Sequence, residues 1–225
     1  DGRVRNSRVR RETLPLLVAD YAVPLSEAAS LSLRLGAEAG VARYSMLDWY
    51  DARTPMPDNY RYLPSYTDDL ETERAWLTRD PRYTQIDWDE LIRRNRMQGG
   101  HAVYALDDRV ERPVRLCLDA AFSVRTDSRL TLRCGVSLRS DRTRFYRQMR
   151  DLLGAGYVTD IDRYLVDDDT YSNLLQNDLR HPDRTIREGD RFGYDYAIRS
   201  REIRARFCAE YLSLIHISEP TRLRR

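Results

Sequence analysis

Two groups of side chains in this sequence have the chemistry of a binding site. The first is a set of aromatic rings in a long polar segment, residues 51–112, that is also rich in proline and aspartate. Rings on a loop can stack on a sugar or on an aromatic chelator, and binding residues concentrate on loops that a rigid scaffold positions. Such rings more often pack the loop against itself, so both interpretations stay open. The candidates for ligand contact are Tyr60, Tyr62, Tyr66, Trp76 and Trp88.

The second group is a set of aspartates within residues 141–191. Carboxylates can coordinate calcium, which takes several oxygen ligands. The spacing is not that of an EF-hand, and no glycine stands where the turn of such a loop requires one. A solvated acidic loop is the simpler interpretation, and we predict no metal site and no cofactor. The aspartates are Asp160, Asp162, Asp167, Asp168 and Asp169.

The remaining polar residues contain no catalytic motif. There is no nucleophile elbow, phosphate-binding loop or metal motif, so we do not expect an enzyme. The three cysteines and three histidines are scattered, without the spacing of a metal site or a disulfide framework. The net charge of +2 is nearly balanced, which argues against nucleic acid as a partner. No apolar run approaches the ~18 residues of a membrane helix.

The element that positions these loops is a predicted β-hairpin. Apolar and polar residues alternate along residues 114–124 and again along residues 130–138, and a period of two is that of a strand with one apolar face. If both apolar sets share a face, Val124 pairs with Leu130. That pairing leaves a three-residue loop, Thr126-Asp127-Ser128, which is a common hairpin length.

Two classes of protein contain such a hairpin. Each half is long enough for a transmembrane barrel strand, which needs about 9–11 residues, whereas strands of soluble proteins average about 5–6. A charged lumen side opposite an apolar lipid side is typical of outer-membrane barrels. A soluble antiparallel sheet with one solvated face gives the same alternation. The charges on the polar side are Arg115, Asp119, Arg133 and Arg139.

The lengths of the connections favour the barrel. They are alternately short and long, and outer-membrane barrels have short periplasmic turns and long extracellular loops. We therefore predict that residues 1–211 form an all-β fold, an antiparallel up-and-down transmembrane β-barrel fragment of about five strands, with two long loops that carry short helices. The predicted strands lie near residues 13–23, 30–50, 113–125, 129–143 and 192–211, and the long loops span residues 51–112 and 141–191.

One short helix is predicted in each long loop. Asp87 is a suitable N-cap for a helix over Trp88 to Met97, because Glu90 three residues later completes a capping box and glycines follow the end. In the second loop, apolar residues have helical spacing before Gly154, which can stop a helix. These apolar residues are Phe145, Met149, Leu152 and Leu153.

Five segments have an order and spacing that are specific together: WYD (49–51), PMPDNYRYLPSY (55–66), QIDWD (85–89), QNDL (176–179) and EGDRFGYDY (188–196). They resemble segments of TonB-dependent outer-membrane receptors. The resemblance implies a barrel of about 22 strands with a plugged lumen. It implies TonB-coupled uptake of a large nutrient (siderophore, cobalamin, glycan or peptide) at the outer membrane of a Gram-negative bacterium. The implied partners are outer-membrane lipid, the TonB complex, a surface lipoprotein and the nutrient.

The two ends of the chain depart from that family. The plug domain and the TonB-contacting segment are missing, so we expect a fragment that cannot transport by itself. Residues 212–225 include LSLIHISEPTR, which resembles the conceptual translation of a sequencing-library adapter, so we expect this tail not to be biological. The alternative from another class is a secreted soluble β-sheet protein that binds carbohydrate.

Overall fold

The structure is a computed structural model that describes residues 5–50, 52–162 and 175–212. The chain is mostly antiparallel β-sheet, with 54% of it in strands and 15% in helices, so the predicted antiparallel β class is confirmed. No closed barrel forms among the described strands. The strands are β1 (Arg10–Thr13), β2 (Leu16–Pro24), β3 (Ala29–Ala39), β4 (Val41–Trp49), β5 (Tyr104–Arg125), β6 (Leu130–Asp151), β7 (Val158–Thr159), β8 (Thr185–Ile186) and β9 (Arg191–Tyr211).

The helices are short and lie in the first long connection. No helix in the described part of the chain has the length and apolar character needed to cross a membrane. A 3₁₀ helix, Tyr60–Tyr62, precedes α1 (Pro64–Thr67), α2 (Leu70–Leu77), α3 (Pro81–Thr84) and α4 (Trp88–Met97). Helix α4 has the predicted bounds, and the side chain of Asp87 accepts a hydrogen bond from the Glu90 amide at 2.9 Å, so the predicted N-cap is confirmed.

The chain divides into two compact units, to which β5, β6 and β9 each contribute residues. We call the unit that contains the helices the loop unit and the other the sheet unit. The loop unit comprises residues 1–13, 41–112 and 144–197, and the sheet unit comprises residues 14–40, 113–143 and 198–225.

The sheet unit is a five-stranded meander in the order β2-β3-β5-β6-β9. Antiparallel pairing places residues in rows across the strands, so that Leu17, Ala37 and Leu116 form one row and Asp20, Arg34 and Asp119 form another. Because paired residues point to the same face, the alternation seen in each strand adds up to one apolar and one polar face. The predicted two-faced sheet is therefore present in this unit.

The register of the central hairpin differs from the predicted one. The Thr126 amide donates to the Leu130 carbonyl at 2.9 Å, and the two strands leave residues 126–129 between them. The side chain of Ser137 donates to Asp119 across the strands, whereas pairing of Val124 with Leu130 would have placed Asp119 opposite Gly135. The shift is by two residues, so every side chain keeps its predicted face. The side chain of Asp127 fixes the turn by accepting from the amides of Arg129 and Leu130.

The loop unit contains strands of the same seven-stranded sheet, in the order β1-β4-β5-β6-β9, together with the helices and the β7–β8 ribbon. Two clusters of buried apolar side chains form its core. One contains Ala102, Ala105, Met149, Leu152, Val158, Ile186 and Phe192. The other contains Leu47, Leu91, Ile92, Tyr104, Leu106 and Leu153.

Strands β5 and β6 are longer than predicted, and the long loops are correspondingly shorter than residues 51–112 and 141–191. Strand β5 begins at Tyr104, although the charged run from Asp107 to Arg112 interrupts the alternation. Strand β6 continues to Asp151, so the helix predicted from the spacing of Phe145 and Met149 is wrong. Met149 and Leu152 instead pack in the first core cluster and Leu153 in the second, and the Phe145 ring stacks on Tyr196.

A second difference concerns the strand predicted near residues 30–50. It is divided at Gly40 into β3 and β4. The Gly40 amide still donates to the Pro113 carbonyl at 3.2 Å, and proline, which has no amide hydrogen, cannot return a bond. Both β3 and β4 pair antiparallel with β5, but the prediction that residues 30–50 form one continuous strand is wrong.

Candidate functional site

The five aromatic residues predicted to contact ligand lie at three different places in the loop unit. Tyr60 and Tyr66 are exposed and form an edge-to-face pair, with ring centroids 5.2 Å apart. The guanidinium of Arg61 lies 5.6 Å from the centroid of the Tyr60 ring. These two tyrosines are accessible to a ligand and contact each other.

Tyr62 and Trp76 hold the loop together. The Tyr62 hydroxyl donates to the Thr54 carbonyl at 3.0 Å and accepts from Arg53 Nε at 2.6 Å, and the Arg53 guanidinium lies 4.2 Å from the Tyr62 ring centroid. Trp76 Nε1 donates to the Tyr62 carbonyl at 3.3 Å. Their polar atoms are thus used within the loop, as the packing interpretation of these rings predicts.

Trp88, the fifth candidate, packs partly buried against the core cluster of Leu47 and Leu91. Beside Tyr62 lies a cavity of 340 Å³ with mixed charge. Glu90 lines it, and hydrogen bonds from Arg93 and Arg94 lower the pKa of its carboxyl to about 2. The remaining wall of this cavity includes Arg53, Arg82, Tyr83, Asp87 and Tyr104.

A larger pocket of the loop unit lies elsewhere and was not predicted. It has a volume of 830 Å³, and its wall combines aromatic rings with charged groups. Arg109 is exposed on this wall and has no ion pair among the described residues. We call this pocket the aromatic pocket. Its lining includes Asp48, Trp49, Tyr50, Arg109, Arg147, Phe192 and Tyr194.

A buried ion pair supports one wall of the aromatic pocket. Arg147 donates from Nε to Asp107 Oδ2 at 2.6 Å and from Nη2 to Asp48 Oδ2 at 3.0 Å, and its guanidinium lies 4.5 Å from the Phe192 ring centroid. Asp107 is 1% exposed, and its Oδ1 has no hydrogen-bond partner in the described structure. Burial raises the pKa of Asp107 above its ordinary 3.8, and the charge of Arg147 opposes that shift.

The predicted acidic cluster is only partly described. Asp160 is buried and accepts from Asn177 Nδ2 at 2.9 Å and from the Gly193 amide at 3.0 Å, so this carboxylate ties the second long connection to β9. Asp167, Asp168 and Asp169 lie outside the described residues. Among the residues that the structure describes, no group of three or more His, Cys, Asp or Glu side chains is placed to hold a metal ion.

The sheet unit presents a different kind of candidate site, a broad apolar surface. Many of its large side chains are exposed: Leu17 is 70% exposed, Leu116 55% and Phe207 73%. We call this surface the apolar face. It comprises Leu17, Ala19, Tyr21 and Val23 on β2, Leu31, Leu33, Leu35, Ala37 and Ala39 on β3, and Val114, Leu116, Leu118, Ala120, Phe122 and Val124 on β5, continued by Leu130, Leu132, Cys134, Val136 and Leu138 on β6 and Ile203, Ala205, Phe207, Ala209 and Tyr211 on β9.

The opposite side of the same sheet carries the charges. Arg115 bonds Glu38 at 2.7 Å and Asp141 at 2.9 Å across neighbouring strands. Asp20 pairs with Arg34 in the same way. We call this the polar face. A continuous apolar surface of this extent is unusual on a monomeric soluble protein and indicates a binding or membrane surface.

The sequence did not identify the aromatic pocket because its residues come from separate strands. Asp48, Arg109 and Arg147 belong to β4, β5 and β6. The segment containing Phe192 and Tyr194 was singled out by the resemblance, but nothing in the spacing connects it with Arg109. Antiparallel pairing of the correct register is needed to bring these residues together.

No model of a known protein family matches this chain, and neither a curated protein nor a solved structure matches it.

Proposed function

We propose that this chain is a section of an outer-membrane receptor barrel, in which the apolar face contacts lipid and the loop unit takes part in capturing a nutrient. The observation that carries the proposal is the apolar face. Five neighbouring strands present apolar side chains on one surface, and many of the large ones are exposed in the described chain. The resemblance to TonB-dependent receptors is the basis for proposing that the nutrient is taken up and that uptake is coupled to TonB.

The dimensions of the apolar face support a bilayer as its partner. On β5 the face runs from Val114 to Val124, which is about 33 Å along the strand. Strands of transmembrane barrels tilt by about 35–45°, so this run spans about 25 Å of membrane thickness, which equals the height of the apolar band of outer-membrane barrels. A soluble sandwich would need a second layer over the same surface.

The loop unit supports the second half of the proposal. It has a packed core of its own, and it carries the aromatic pocket, whose rings and charges suit a large polar nutrient with an aromatic or sugar ring. Binding pockets of this kind combine apolar walls with a few polar groups that fix orientation. Which nutrient is taken up does not follow from the fold.

The lipid assignment is tested by placing a charge on each face. Val136→Arg puts a guanidinium on the apolar face, and Ser137→Arg puts one on the polar face of the same strand. In the complete receptor, Val136→Arg should cost about 2–4 kcal/mol of folding free energy in a bilayer, and Ser137→Arg should cost little. Equal losses for both variants, measured by urea unfolding in vesicles, would favour the soluble β-sheet alternative.

A further inference from the structure

One end of the apolar face carries a row of arginines. Along β9, Arg199 and Arg201 have the same parity as Ile203, and along β6, Arg142 has the same parity as Leu138. Residues two apart on a strand share a face. The three arginines therefore lie on the apolar side of the sheet unit, and we call them the arginine row.

These arginines are not used in folding the described chain. All three are exposed, and none has an ion pair or a side-chain hydrogen bond among the described residues. Other arginines of this unit do have partners, as Arg115 has in Glu38 and Asp141. The guanidinium groups of the arginine row are consequently available to an external ligand.

The charged side chains on the apolar side of the sheet unit are all positive, and they lie at one end of it. Within the strand residues of the sheet unit, no aspartate or glutamate shares the parity of the apolar face. The acidic residues there that neighbour the arginine row or the groove, Asp119, Asp141, Glu202 and Glu210, all have the opposite parity. No arginine of that parity lies at the other end, where β5 and β6 are joined by their turn. The apolar face is thus bordered by positive charge at the end away from that turn only.

A groove brings the charge and the apolar surface together. It has a volume of 540 Å³, and Arg201 lines it beside Ile203 and Ser140. Most of the remaining wall is apolar and includes Leu17, Leu35, Leu116, Leu118 and Leu138, and Arg139 and Glu202 also border the groove. The groove therefore has room for a hydrocarbon chain whose charged end lies beside an arginine.

We propose that the arginine row and this groove bind a phosphate-bearing lipid of the bilayer, with an acyl chain in the groove and the phosphate at Arg142, Arg199 and Arg201. This inference rests on the proposed function and specifies which lipid the apolar face selects. At about 3.3 Å per residue, Arg201 lies about 7 Å beyond Ile203 and Arg199 about 13 Å beyond it. Because such strands tilt by about 35–45°, these distances are about 5 Å and 10 Å along the membrane normal. Arg201 then lies within the headgroup region, which adds about 5–8 Å to each side of the hydrocarbon core, and Arg199 lies at its outer edge. Arginine is suited to phosphate because its planar donors bind two oxygens at once.

The test compares two lipids that differ in headgroup charge. The complete receptor is reconstituted in phosphatidylcholine vesicles that contain a trace of spin-labelled lipid, either phosphatidylglycerol or phosphatidylcholine. The fraction of motionally restricted label reports the lipid in contact with the protein. We expect phosphatidylglycerol to be preferred by about five-fold or more, because one arginine at an anionic surface already contributes a factor of that size.

Two triple variants with equal loss of charge locate the effect. Arg142→Gln, Arg199→Gln and Arg201→Gln together should abolish the preference. The control, Arg133→Gln, Arg204→Gln and Arg206→Gln, removes three arginines of the opposite parity from the same two strands, none of which lines the groove, and should retain it. A preference that survives in the first variant, or disappears equally in both, would overturn the inference.

The remaining outcomes separate this inference from the proposed function. Restricted lipid without headgroup preference would refute the lipid site and leave the lipid-facing assignment intact. No restricted lipid of either kind, with a dimer in sedimentation, would refute both, because a second copy would then cover the apolar face. Loss of the preference in millimolar inorganic phosphate would also contradict a site in which the acyl chain contributes to binding.

Discussion

Strand β5 contributes residues to both units, and the exposure of its leucine side chains differs between them. Leu106 is 3% exposed in the loop unit, whereas Leu116 is 55% exposed in the sheet unit. The loop unit covers Leu106 with α4 and with the turn that contains Leu153. The sheet unit has no helix or second sheet of its own in the described chain. Many of its large apolar side chains are therefore left exposed, and under the proposed function lipid covers them.

The two units also treat charge differently. In the loop unit, Asp107 is buried and depends on Arg147, and a charge in that position is stable only when it is paired. In the sheet unit, charges such as Arg115 lie on the polar face, exposed and paired across strands. A single buried polar group such as Asp107 can therefore have a large effect on the stability of the loop unit. In the sheet unit no single exposed ion pair should matter as much as the alternation of apolar and polar residues along the strands.

The largest effect is expected at Asn95, a fully buried residue of α4. Its Nδ2 donates to the carbonyls of Tyr104, Leu152 and Leu153, and its Oδ1 accepts from the amides of Val103 and Tyr104. Replacement by leucine leaves these backbone groups without partners, and we expect a loss of about 3–5 kcal/mol.

The measurement for Asn95→Leu is the free energy of urea unfolding in detergent micelles, with hydrogen exchange of residues 88–104 as the local readout. Met97→Ala in the same helix is the control, because Met97 is 72% exposed. Faster exchange confined to the loop unit is expected. A loss of equal size for Met97→Ala would show that α4 is not held by the buried amide.

The next effect concerns the ion pair and has a pH dependence. Arg147→Met leaves the carboxylate of Asp107 buried and unpaired, which costs about 3–5 kcal/mol at pH 7. Burial raises the pKa of Asp107, and a carboxyl with a raised folded-state pKa contributes stability at low pH that is lost as the pH rises through that pKa. The penalty should therefore be smaller near pH 4 than at pH 7.

The double variant Arg147→Met with Asp107→Asn is the matched control for that experiment. It removes the titrating group, so the difference between pH 4 and pH 7 should disappear and part of the stability should return. Unfolding midpoints in urea at the two pH values measure both effects. If the loss of stability in Arg147→Met were the same at both pH values, the unpaired carboxylate of Asp107 would not be its cause.

A smaller effect compares the two leucines of β5 directly. Leu106→Ala removes a buried side chain and should cost about 2–5 kcal/mol. Leu116→Ala should cost much less in micelles, because detergent contacts the side chain on an open surface and no internal cavity forms. Both are measured by urea unfolding under identical conditions. Equal costs would indicate that the sheet unit has a packed partner layer after all.

The smallest effect is expected for the ion pairs of the polar face. Arg115→Ala breaks the contacts with Glu38 and Asp141, and exposed pairs of this kind contribute about 0–1 kcal/mol. The loss should fall further in 0.5 M salt, since salt screens exposed charges. A cost as large as that of Leu106→Ala would show that the polar face is desolvated by something that packs on it.

Sequence reasoning predicts the sheet unit well because its information is local. Alternation along β3, β5 and β6 assigns each side chain to a face, and an error of two residues in the hairpin register does not change that assignment. Helix α4 is predicted for the same reason, since Asp87 and Glu90 are near neighbours. Both results depend on spacing within one element.

The loop unit is predicted less completely because it is built from distant contacts. Two adjacent aspartates, Asp107 and Asp108, are typical of a loop, and their presence in a strand is explained by arginines of the neighbouring strands β4 and β6. The role of Asn95 depends on backbone groups far along the chain. The division of the five aromatic candidates among three places likewise follows from packing and not from their spacing.

The central claim is that one face of the sheet unit requires lipid, and spin labels along β6 test it most directly. In the complete receptor, with Cys117, Cys134 and Cys208 replaced by serine, single cysteines at positions 132–139 are labelled with a nitroxide in vesicles. We predict that collisions with oxygen, which concentrates in the bilayer, are high at positions 132, 134, 136 and 138 and low between them, because side chains alternate between the faces of a strand. Collisions with a water-soluble nickel chelate should show the opposite alternation. High nickel accessibility at position 136, or no alternation at all, would contradict the account.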